Sequence, residues 1–167
     1  MSRPWRINET ISTEFSCDGK HRFYLKCVWN NEIPGIIYVM LNPSTTDNIS
    51  CDDTVEKIIE FSIQQGYGST EIINLFSLID PNSDNLRSGN NLRSGNNLVL
   101  PENRKMIESV IKDASGSNKQ IVLAWGGKGY FFNANAFVFK LINDFGIRPY
   151  CLGTLKYNQP IHPVEKD

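Results

Sequence analysis

The stretch IIYVML, residues 36–41, is followed at once by Asn42-Pro43-Ser44. Six apolar residues without alternation suit a strand covered on both faces. Pro43 removes a backbone donor and biases Asn42 to extended backbone, so the strand stops sharply there. The loop beyond it runs to Asp52 or Asp53, either of which is a good helix N-cap. Val55, Ile58, Ile59 and Ile63 then recur at helical spacing, and Gly66 or Gly68 closes the helix. EIINL, residues 71–75, is a second buried strand, and Pro101-Glu102 opens a second helix carrying Met106, Ile107, Val110 and Ile111. QIVLAW, residues 120–125, is a third strand, ending at Gly126-Gly127. A third helix is expected over residues 133–144 and a short strand over 149–152.

This alternation predicts a single α/β domain spanning residues 1–167. Its architecture is a three-layer sandwich with a mostly parallel central sheet and helices on both faces. On the N-terminal side, residues 22–29 (RFYLKCVW) read as a strand. Turn signals at Asn30-Asn31 and Pro34-Gly35 predict a hairpin joining it to residues 36–41. The opening segment to Lys20 is polar and reads as loop-rich.

Composition narrows the function classes. Of 167 residues, 40% are hydrophobic and 21% charged, with 17 basic and 18 acidic side chains and a formal net charge of -1. This is a globular balance, and any nucleic-acid surface must be a local patch. Cys17, Cys27, Cys51 and Cys151 are scattered without metal-ligand spacing, so no metal is expected. Neither a leader-like N-terminus nor an 18-residue apolar run is present, and a cytoplasmic protein with reduced thiols is expected.

Ligands of such folds bind beyond the carboxyl ends of parallel strands, so the residues after each strand are the candidates. Asn42 and Asn74 each close an apolar strand. An amide can read a base edge or hold a water, and Asn also caps turns. His162, between Ile161 and Pro163, could donate to a developing anion or be structural. Asp47, Asp52 and Asp53 form an acidic cluster after Asn42, read first as helix capping by Asp52 or Asp53, with a general base or metal ligand as alternatives. Gly126-Gly127-Lys128-Gly129 resembles a phosphate cradle without P-loop spacing. NLRSGN occurs twice, at residues 85–90 and 91–96. The repeat reads as a tolerated duplication in a surface loop, and its Arg87 and Arg93 could reach phosphates.

Four segments in order carry a resemblance: YVMLNPSTTD, EIINLFS, QIVLAWGGKG and LGTLKYNQPIHPV. They resemble an uncharacterised family, domain of unknown function 1643, over residues 22–164. The departures are Thr46 for the usual Ala, Tyr157-Asn158 for an acidic residue and Gly, and the second NLRSGN. The same segments resemble the uracil-DNA glycosylase superfamily. Leu41-Asn42-Pro43 falls on its first motif, Asn74 on the asparagine that reads a flipped base, and Trp125-Gly126 on its WG. His162-Pro163 falls on its closing HP.

The second resemblance implies a glycosylase-like fold and a monofunctional DNA glycosylase without cofactor. The enzyme would work as a monomer on DNA and excise a modified or damaged base. Asn42 and His162 would be catalytic, with Asn74, Ser44 and Phe76 binding the base. Arg87, Arg93, Gly126, Gly127 and Lys128 would bind DNA. Ser44 falls where uracil-specific members carry a tyrosine that crowds the pyrimidine 5-position. The small residue leaves room for a substituent, as on hypermodified phage pyrimidines, which would suit antiviral defence. The alternative is a non-catalytic module that binds a nucleotide or nucleic acid.

Overall fold

A computed structural model describes residues 3–87, 100–117 and 119–164. Its strands are β1 (Arg3–Pro4), β2 (Thr10–Phe15), β3 (Arg22–Val28), β4 (Gly35–Met40), β5 (Ser50–Cys51), β6 (Ser69–Asn74), β7 (Gln120–Leu123) and β8 (Tyr150–Cys151). Its helices are α1 (Asp53–Gln64), α2 (Pro101–Ser117) and α3 (Ala134–Asp144). Six strands form one mixed sheet in the order β2-β3-β6-β4-β7-β8. β4 pairs in parallel with β6 and β7, and β7 with β8. β3 is antiparallel to both β2 and β6.

Two N-terminal expectations are corrected here. The segment read as loop holds β2, whose alternating burial suits an edge strand with one face in water. The hairpin between β3 and β4 does not form, because β6 lies between them. β6 is buried at every position, so it needs a strand on each side, and β3 supplies the second partner.

The sheet separates two apolar clusters. Ile36, Tyr38, Met40 and Ile72 pack with Val55, Ile58 and Ile59 of α1. Ile37, Val39 and Ile73 pack with Ile107, Val110 and Ile111 of α2 and Val138 and Leu141 of α3. Successive residues of β4 thus serve opposite faces, which is why its sequence shows no polar alternation. Asp52 caps α1, accepting from the Thr54 and Val55 amides at 3.0 Å each. One strand end therefore leads through a fixed loop into a helix N-terminus beside it.

Within β6, Glu71 is buried yet charged. It accepts from Lys119 Nζ and the Tyr24 hydroxyl, both at 2.8 Å, and Lys26 Nζ lies 3.4 Å away. Burial alone would raise its carboxyl, but the bonds from Lys119 and Tyr24 outweigh it and hold the pKa below the ordinary value. A depressed folded pKa contributes stability above the unfolded pKa, lost as pH falls through the folded value. Glu71→Gln should cost about 2 kcal/mol at neutral pH, the scale of hydrogen bonds to a charged group. Denaturant titrations from neutral to acid pH should show the wild-type advantage shrinking toward zero. A constant difference at all pH values would mean that Glu71 stabilises by packing alone.

Candidate functional site

The carboxyl ends of β4, β6 and β7, the N-terminus of α1 and the C-terminal segment surround a cleft of about 600 Å³. It is lined by Asn42, Ser44, Asn74, Gly126, Gly127, Lys128 and His162, all singled out from the sequence. Met40, Leu41, Val55, Ile72 and Trp125 give it apolar walls. A site of this size with a few polar groups on apolar walls suits one small molecule or one base with its sugar.

Asn74 closes β6 and is 1% exposed. Asn103 of α2, itself fully buried, fixes the chain there by donating from Nδ2 to the Asn74 and Leu75 carbonyls at 3.0 and 3.3 Å. The Asn74 Nδ2 has no hydrogen-bond partner among the described residues. A buried amide donor left unpaired costs about 1–3 kcal/mol, so this atom is poised for an acceptor brought into the cleft.

Asn42 is half-buried and differently occupied. Its Nδ2 donates to the Asp80 carbonyl at 2.8 Å and the Pro43 carbonyl at 3.1 Å. That side of the amide clamps the loop after β6 against the loop after β4. The opposite side, Oδ1, remains as the acceptor with which Asn42 can serve the cleft.

His162 is delivered by a pinned tail. The Gly126 amide donates to the Pro160 carbonyl at 3.0 Å, and the Ile161 amide to the Gly153 carbonyl at 3.0 Å. Trp125 Nε1 donates to Gln159 Oε1 at 3.1 Å. Gly126 meets the tail with φ +71, a conformation that glycine adopts freely. Tyr157 and Asn158 take left-handed backbone too, at φ 63 and 55. Asn is among the non-glycine residues most tolerant of it, which suits Asn158 to this position. The Val164 amide donates to His162 Nδ1 at 3.4 Å, which favours the tautomer with the ring proton on Nε2.

Further residues line the cleft without having been singled out from sequence as site residues, among them Arg22, Thr54, Asp80 and Ser83. Arg22 is 2% exposed. Its Nη1 donates to the Thr46 carbonyl at 2.8 Å, and its Nε has no partner among the described residues. Burial pulls it down to about 10, a shift partly offset by the field of Asp52. A β-bulge places it, since Glu14 pairs with Tyr24 but Phe15 with Arg22, leaving Phe23 as the extra residue. The bulge turns Arg22 toward the α1 side, where Thr46 and Asp52 lie. Thr46 also locks the intervening loop, accepting from the Asp52 amide at 2.9 Å through its hydroxyl.

Other expected site residues fall elsewhere. Phe76 is fully buried in the core on the α2–α3 side, edge-on to Phe132, and does not line the cleft. The reason is strand parity: Ile73 and Leu75 already face that side, and the turn after Asn74 carries Phe76 there as well. Phe76 therefore cannot stack on a ligand in this structure. Lys128 does line the cleft, but its Nζ is held at 2.7 Å by both Ser83 Oγ and Asp84 Oδ1. Its charge is partly spent inside the protein. The backbone of Arg87 ends a short 3₁₀ turn, Ser83–Arg87. Arg93 and the second NLRSGN copy lie outside the described residues.

Two carboxylates near the cleft also carry structural bonds. Asp52 Oδ1 caps α1, and both Asp80 oxygens accept from Asn85 Nδ2, at 3.2 and 2.9 Å. Cys51 is buried and its thiol is pushed up by burial, the reverse of an activated nucleophile. Among the described residues, no group of three or more His, Cys, Asp or Glu is placed to hold a metal. No helix there is long and apolar enough to cross a membrane.

No curated protein and no solved structure matches the chain. Residues 22–164 match the family described as "Protein of unknown function (DUF1643)". That span holds β3 through β8 and every residue that lines the cleft, and on it the chain belongs to the DUF1643 family.

Proposed function

We propose that the protein is a monofunctional DNA glycosylase that hydrolyses the N-glycosidic bond of a modified or damaged base. A hypermodified pyrimidine of phage DNA is the candidate substrate and antiviral defence the biological role. The observation that carries this reading is the meeting of Asn42, Asn74 and His162 in one cleft, with the buried Asn74 Nδ2 awaiting an acceptor. The uracil-DNA glycosylase resemblance of those three segments supports it, as does the small Ser44 beside them.

In the proposed reaction the target nucleotide leaves the stack and its base enters the cleft. Asn74 donates through Nδ2 to a base carbonyl and accepts a base N–H through Oδ1. The C1′–N bond breaks and its electron pair leaves with the base. His162 Nε2–H donates to the base oxygen that gains charge. Water placed by Asn42 Oδ1 adds to C1′, and the proton it sheds ends on the released base. With Asp52 Oδ1 capping α1 and both Asp80 oxygens bonded to Asn85, this route relies on leaving-group stabilisation more than on a strong general base.

A second reading has one observation in its favour. The Asn42 Nδ2 clamp is a structural duty, and a binding module without turnover would need nothing more of Asn42. DNA carrying plain bases, uracil or glucosylated hydroxymethylcytosine, treated with protein and then alkali, separates the two. The glycosylase reading expects strand breaks on a modified substrate that Asn42→Ala reduces. Binding with no alkali-labile site on any substrate would leave the module.

A further inference from the structure

The floor of the cleft holds two buried side chains with unsatisfied donors: Asn74 Nδ2 and Arg22 Nε. They sit on adjacent antiparallel strands, Arg22 at the start of β3 and Asn74 at the end of β6. Both are nearly free of solvent contact. Sheet integrity does not explain the guanidinium. Its single hydrogen bond among the described residues uses Nη1, and its charge is not paired at contact distance by any described carboxylate. A buried cation so thinly compensated is costly, and a well-placed anion or acceptor pair would offset that cost. The edge left over, Nε with Nη2, is the one that grips two oxygens or an oxygen and a ring nitrogen side by side.

We propose that Arg22 is the fixed cation of the cleft floor, that its Nε–Nη2 edge binds the acceptor edge of a pyrimidine base, and that the site thereby prefers the base as its anion. This rests on the glycosylase reading and names the species its cleft is built to hold. When the C1′–N bond breaks, the pair of electrons that leaves spreads over the base nitrogen and the adjacent carbonyl oxygens. A guanidinium preorganised in a dry floor gains attraction as that charge appears, whereas a neutral base gains only ordinary hydrogen bonds. Asp52 sits across the same cleft and tempers the charge.

The test is equilibrium binding of free bases, which needs no turnover. The probes are 5-nitrouracil, an anion near neutral pH, and uracil, neutral there. Calorimetry on the full-length protein should give 5-nitrouracil roughly ten- to a hundred-fold tighter than uracil, the range for a hydrogen bond to a charged group. Arg22→Gln should erase the preference, Arg22→Lys should keep part of it, and Asp52→Asn, which still caps the helix, should enlarge it. Each variant is first checked for cooperative unfolding, and the wild-type preference stands as a test even if Arg22→Gln does not fold. Equal affinities for the two bases, a preference untouched in folded Arg22→Gln, or no binding of either base would overturn the proposal. Alkali-labile sites appearing alongside such a result would leave the glycosylase reading intact; their absence with a clear anion preference would sink that reading alone.

Discussion

Replacing His162 with Ala is expected to slow base excision about 10²- to 10³-fold, the scale for one preorganised donor at a developing anion. Stability should hardly move. The tail that carries His162 is fastened by backbone bonds from Gly126 and Ile161 and by the Trp125–Gln159 side-chain bond, none of which uses the imidazole. The half-buried ring accepts a long bond from the Val164 amide. His162→Gln keeps a neutral N–H donor on a side chain of similar reach and should recover part of the rate. A fall in kcat without a matching rise in KM would place the interaction in the transition state. Single-turnover excision rates with a thermal melt of each variant check this. An unstable but fully active folded fraction would make His162 structural.

Gly129→Ala is expected to cost roughly 3 kcal/mol or more, at the upper end for overpacking. An added Cβ would lie 2.0 Å from Trp125 Cδ1 and 2.3 Å from Nε1. Trp125 is 1% exposed and edge-on to Phe139, so its ring has little room to yield. For a chain of this length the loss corresponds to about 6–12 °C in melting temperature. It reaches function as well, because a displaced indole releases Gln159 and with it the tail that presents His162. Gly116→Ala is the contrasting change. It lies in α2, an added Cβ meets nothing within 4 Å, and helix propensity should raise stability by up to about 1 kcal/mol. Two glycine-to-alanine melts of opposite sign check the pair, and similar melting temperatures for both would refute the packing argument.

The parallel block of this sheet was legible because its strands are short apolar runs, each closed by Asn42, Asn74 or Trp125-Gly126, with helical spacing between them. The cleft followed from the same punctuation, since residues just past such strands share one end of the sheet. β2 was missed because an edge strand needs only half its residues apolar, and TISTEF meets that with polar alternation. The β3–β4 hairpin failed for a different reason. Turn chemistry at Pro34-Gly35 was real, but β6 offers two full ladders and takes the place between them.

Phe76 shows how one residue past a strand end can reverse faces, which motif alignment alone does not reveal. Arg22 carried a usable signal, a charge opening an aromatic strand. Any antiparallel pairing of that strand with its neighbours brings its first residue to the end where β4 and β6 finish. The bulge at Phe23, which chooses the face, has no local signature. Asn103 was invisible for lack of any pattern: a polar residue in the first turn of a helix is ordinary until its partners at Asn74 and Leu75 are seen.

The central claim is that this cleft releases a base from DNA and leaves the phosphodiester chain intact. Mass spectrometry of the small molecules set free when wild-type protein meets DNA rich in hypermodified pyrimidines tests it most directly. The account predicts the free modified base, in step with abasic sites left in the polymer. Nucleotides or nucleosides instead of free base, or no small molecule from DNA that the protein demonstrably binds, would contradict it.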